Sequence, residues 1–283
     1  MTTATATPAP TGTPTPTRTP TRKPTRTPRL ALGVVLLWVG VVVALPLAAL
    51  AALSLADGPL GFVRAVTAPG SIAALTTTLV LSAAVAGINA VFGTLIAWVL
   101  VRDGFPGKRF ADALIDIPFA LPTIVASIVM LALYGPESPA GIHLNNTRAG
   151  VLVALAFVTL PFVVRSVQPV LAELETDAEE AAASLGASNW TTLRLVVWPA
   201  IRPAVISGTG LAFARAIGEF GSVALIGGNL PGVTQVTSQY IAQRIEVGDP
   251  SGAAAVSVTL LAIAFSVLAA LRLLGRGQRR TDA

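Results

Sequence analysis

Six apolar runs, at 30–55, 72–101, 111–134, 149–164, 204–226 and 253–274, leave this chain few folds to choose from. Each comes near or exceeds the roughly 20 residues that a helix needs to cross a bilayer. In hydrocarbon every backbone group must bond within the protein, so runs of this length become helices. The expectation is an all-α, polytopic membrane protein with six transmembrane helices. Composition agrees, with 53% apolar and only 12% charged residues, about half the charged share of an ordinary soluble domain.

Residues 1–29 are Thr, Pro and Arg in near-repeats with almost nothing to bury, which predicts a disordered basic tail. Such a tail fixes orientation; an arm for anionic lipid or a partner is the other reading. The first apolar run is longer than the roughly 7–15 residues of a signal-peptide core, so it is expected to stay as a helix. Ala49-Leu50-Ala51 imitates a cleavage site and keeps removal open as an alternative. The membrane-spanning body then covers 30–275, and 276–283 forms a second basic tail. With the N-terminus inside, cytoplasmic segments hold fifteen Lys and Arg against three outside, Arg64, Arg148 and Arg244. The positive-inside rule therefore predicts both termini in the cytoplasm.

Several chemistries are excluded by residue type. There is no cysteine and a single histidine, His143, so thiolate, disulfide and His-cluster metal sites are absent, and His143 is expected at the surface. The net charge of +5 does not point to nucleic acid, because the basic residues lie in loops and tails and aromatics are few. Asp112 and Asp116 stand one turn apart, but an acid pair for proteolysis would come from two helices, and both are expected to favour a helix N-terminus. Gly104-Phe105-Pro106-Gly107-Lys108 lacks the spacing of a phosphate loop, so the chain is not expected to hydrolyse ATP or to bind a cofactor of its own. Asn89 should face other helices, Pro118 and Pro122 should kink the third span, and Arg215 and Glu219 are the charges deep in a span. Four positions apart, they form either a structural ion pair or a pair on a transport pathway.

Between the fourth and fifth runs lies a polar, helix-forming stretch. Thr176-x-x-Glu179 has the form of a capping box, Gly186 ends the first helix, Ser188 caps a second, and Pro199 and Pro203 mark the return to the membrane. Glu180-Ala181-Ala182, then Gly186, then Val196-x-Trp198-Pro199 resembles the EAA loop of bacterial ABC-transporter permeases, with Val for Ile and Trp for Leu as departures. The resemblance implies a type I importer permease whose coupling helix docks on an ATPase subunit through Glu180, Ala181, Ala182, Ser184, Leu185, Gly186 and Ala187. It further implies a second permease chain, two ATP-binding subunits that use ATP and magnesium, and an extracytoplasmic binding protein, in the bacterial inner membrane. Residues 133–141, 157–171 and 212–232 resemble the sulfate/thiosulfate permeases of the CysT type; the last stretch is shared with molybdate permeases, which leaves molybdate or tungstate as the alternative cargo. A membrane enzyme would need reactive groups at depth, and a passive channel would not need a docking helix.

Overall fold

The computed structural model describes residues 29–174 and 176–277, and every regular element among them is helical. The tail with its expected disorder, and residues 278–283, lie outside the described residues. The chain divides after Pro46 into two units. The first holds α1 (Arg29–Val39) and the π-helical segment Gly40–Ala44, and the division falls inside α2 (Leu45–Ser54). Leu36 and Trp38 are 63% and 70% exposed, as suits a helix that is apolar on every side and belongs in lipid.

The second unit contains α3 (Gly58–Thr67), α4 (Pro69–Arg102), α5 (Lys108–Ile115), α6 (Ile117–Ala120), α7 (Thr123–Tyr134) and α8 (Arg148–Glu173). They are followed by α9 (Thr176–Ser184), α10 (Asn189–Thr192), the π-helical segment Leu193–Val197, α11 (Trp198–Ile217), α12 (Thr237–Glu246) and α13 (Pro250–Gly277). Among the described residues five helices are long and apolar enough to cross a membrane: Ala31–Ser54, Pro69–Arg102, Arg148–Glu173, Asn189–Ile217 and Pro250–Leu271. The third expected span is not one kinked helix but three short ones. Proline cannot donate and forces its predecessor out of helical geometry, and Leu121, just before Pro122, is extended at φ −82°, ψ 132°.

Helices α4, α8 and α11 pack along one another and form the core. Leu81, Val85, Val151, Leu155 and Ile226 fill one part, and Leu100, Val163, Val167, Leu171 and Ile201 the other. Glycine sets the spacing. A Cβ on Gly93 would lie 2.9 Å from Val163 Cβ, and one on Gly208 would lie 2.9 Å from Ser166 Cβ and 3.0 Å from Val163 Cα. Helices in lipid associate through such close approaches, since burial against a neighbour gains little over burial in lipid tails. Asn89 faces the bundle as expected, donating to Thr159 Oγ1 at 2.9 Å and Ala156 O at 3.1 Å.

The expectation for the two aspartates needs one correction: Asp112 lies in the second turn of α5 rather than at a helix N-terminus, while Asp116 is the N-cap of α6, and both hold Arg165. Its Nη1 donates to Asp112 Oδ1 at 2.6 Å, its Nε and Nη2 to Asp116 at 2.8 and 2.7 Å, and Nη1 also reaches Gln168 Oε1 at 2.5 Å. With its charge matched, Arg165 does not end α8, which continues through Pro169 to Glu173. The fifth span also differs, because its helix stops at Ile217 and residues 218–236 form a non-helical segment.

That segment meets its backbone hydrogen bonds with its own turns and with groups from other elements, the condition for irregular backbone inside a membrane protein. Ser127 Oγ accepts from the amides of Leu225 and Ile226 at 2.9 and 3.3 Å, and Thr234 Oγ1 accepts from Leu230 N at 3.1 Å. Asn146 N donates to Ile226 O at 2.8 Å, and Arg148 Nε donates to Val233 O at 2.9 Å. Where α12 meets α13, Arg244 pairs with Asp249 and holds its carboxyl below the ordinary carboxylate range. His143 is exposed, with Nδ1 2.8 Å from Gly135 O.

Candidate functional site

The polar stretch after α8 folds as a helix, a turn and a second helix. Gly186, at φ +83°, supplies the left-handed residue that closes α9. Its amide donates to Ala183 O at 2.9 Å and the Ala187 amide reaches back to Ala182 O at 3.0 Å, the paired bonds of a Schellman motif. Ser188 then caps α10, its Oγ accepting from Thr191 N at 3.2 Å. The capping box expected at Thr176 involves a side chain outside those described.

Proline does not end this second helix. Pro199 falls where the π-helical segment passes into α11, and Pro203 is carried inside the helix. The π-helical segment absorbs the change of register, with Trp198 N bonding Leu193 O. The turn is thus built onto the end of a membrane-length helix, Asn189–Ile217.

The outward face of the turn is the unusual feature. Glu180, Ala181, Ser184, Leu185 and Gly186 are exposed, while Ala182 and Ala187 are half-buried beneath them. Leu185 is 90% exposed and Trp190 is 69% exposed. Large apolar side chains standing clear of a polar helix–turn–helix are the pattern of a surface that another protein or a membrane covers. All seven residues predicted to couple lie on this one turn.

Sequence reasoning missed what holds the turn in place. Arg102, at the end of α4, donates through Nη2 to Glu179 Oε1 at 2.5 Å and to Leu174 O at 3.1 Å. The partners are 77 positions apart, so no local pattern announces them.

Arg215 and Glu219 do pair, though not along a helix. Glu219 lies beyond the α11 C-cap, Gly218. The Glu219 side chain is 1% exposed and also accepts from Ser222 N at 2.7 Å, whereas Arg215 is 32% exposed. Arg215 lines a pocket with Pro122, Thr123, Ile124, Phe220 and Gly221. Gly221 presses against Thr123, and any Cβ there would collide with Thr123 Oγ1. The two breaks in regular helix, at Pro122 and after Ile217, therefore meet at one charged pocket.

The comparisons agree with this anatomy. The profile of a family described as binding-protein-dependent transport system inner membrane component matches residues 89–280. The chain belongs to that family. This inner membrane component is 41% identical over 254 residues to the sulfate transport system permease protein CysT of Synechocystis, covering 87% of this chain and 89% of that one. It is 42% identical over 247 residues to the Escherichia coli protein of the same name, covering 84% and 89%. Among solved structures, a bacterial alginate ABC transporter in complex with an alginate pentasaccharide-bound periplasmic protein superposes with a TM-score of 0.72 at 15% identity, covering 88% of this chain and 93% of that one. The methionine transporter MetNI superposes with a TM-score of 0.55 at 21% identity, over 74% and 94%. The inner membrane component thus has the fold of ABC importer permeases, as the EAA-like residues implied.

Proposed function

We propose that this chain is the membrane-spanning permease subunit of an ATP-driven importer that carries sulfate, and thiosulfate with it, across a bacterial inner membrane. The observation that carries the reading is the exposed turn 180–187 built onto a membrane-length helix, in a chain at least 41% identical to named sulfate permeases. Those relatives favour sulfate over molybdate or tungstate. Two separate ATPase subunits would dock on this turn and on its counterpart in a second permease, and an extracytoplasmic binding protein would deliver the anion. ATP binding shifts the complex between inward and outward states only through contacts that differ between them, and the coupling turns supply such contacts.

Reconstitution of the complete complex tests the cargo. Sulfate-loaded binding protein is expected to raise ATP hydrolysis severalfold and to drive uptake of labelled sulfate. Stimulation by molybdate-loaded binding protein alone would overturn the assignment.

Orientation follows from fifteen inner against three outer Lys and Arg. Because the native chain has no cysteine, Glu137→Cys and Glu246→Cys are expected to react with an impermeant thiol reagent added to intact cells. Asn189→Cys is expected to react only after permeabilisation, and its labelling from outside would reverse the topology.

A further inference from the structure

Arg102 joins three helix ends. It is the last residue of α4, it bonds the C-cap carbonyl of α8 at Leu174, and it pairs with Glu179 in α9. The backbone already ties α9 to α8 on one side and, through the turn, to α11 on the other. The ion pair fastens it to the third core helix. Both side chains are largely shielded, at 15% and 23% exposure, and a charge-assisted bond held in this way fixes geometry as well as energy. Among the described residues nothing bonds Arg102 Nε, so Glu179 and Leu174 are what hold the head group.

The helix that Arg102 ends is long. At 34 residues, α4 extends about 50 Å at ~1.5 Å per residue. Toward its other end Thr78 Oγ1 accepts from Thr237 N at 2.7 Å, at the first turn of α12. A displacement of α9 that moved α4 would therefore reach elements far from the turn.

We propose that Arg102 and Glu179 are positioning residues that pass displacement of the coupling helix to α4, so that all three core helices answer to the ATPase. The proposal rests on the coupling role given above to residues 180–187.

The test uses the complete complex in lipid nanodiscs and proteoliposomes, with Glu179→Gln, Arg102→Gln and the exchanged pair Arg102→Glu/Glu179→Arg. Each single variant is expected to assemble and keep basal ATP hydrolysis, while stimulation by loaded binding protein and sulfate uptake fall about tenfold. The exchanged pair is expected to recover at least half of both. If single variants lose assembly, recovery of assembly and stimulation together by the exchange supports the link; failure to recover either one overturns it. Normal stimulation of either single variant also overturns it. Gly186→Arg, run alongside, separates the two readings: normal transport there removes the coupling role itself, whereas loss there with normal stimulation of the pair variants removes only the link.

Discussion

Gly186→Arg is expected to leave the chain inserted in the membrane at normal yield and to abolish sulfate uptake. At φ +83° the residue occupies the left-handed region, where a Cβ costs about 1–2 kcal/mol. Among the described residues, no atom beyond Gly186 and its two chain neighbours lies within 4 Å of a Cβ built at this position, so the added side chain meets open space rather than the core. Folding of the bundle should therefore survive while the new side chain projects from the face proposed to dock the ATPase. Gly186→Asn provides the control, because asparagine tolerates the left-handed conformation and is small. It should keep most of the uptake. Copurification with the ATPase and uptake are measured together for both variants, and normal uptake by an assembled Gly186→Arg complex would sink the coupling assignment.

What could be read from the sequence was local. The turn at Gly186 and the cap at Ser188 are set within a few residues, and both appear where spacing put them. Apolar length found the helices but not the place where the fifth one stops. Residues 218–226, with Val223, Leu225 and Ile226, read as the end of the fifth span; Val223 and Ile226 are buried while Leu225 is exposed, and their path is set by distant donors and acceptors such as Ser127 and Asn146. The same holds for charge. Asp112 and Asp116 looked like a local pair because their common partner, Arg165, comes from another helix. Hydropathy records how much of a segment avoids water and says nothing of which side chain across the bundle completes its hydrogen bonds.

For Arg215 and Glu219 the structure separates two roles that their spacing left joined. Glu219 is fully buried and doubly bonded, to Arg215 and to Ser222 N, while a third of Arg215 opens onto the pocket beside Pro122 and Thr123. Stranding a buried charge costs about 3–5 kcal/mol, whereas replacing both partners is often nearly neutral. Arg215→Ala strands the buried carboxylate, and Glu219→Ala frees a guanidinium that already reaches the pocket. Arg215→Ala is therefore expected to reduce the yield of assembled complex more than Glu219→Ala does. The double variant Arg215→Met/Glu219→Gln should recover assembly, since neither charge remains. If Arg215 attracts the passing oxyanion, sulfate uptake by that recovered complex stays at least tenfold below that of the native complex. Yield and uptake are read from the same preparations, and full uptake by the double variant would reduce the pair to packing and remove Arg215 from the pathway.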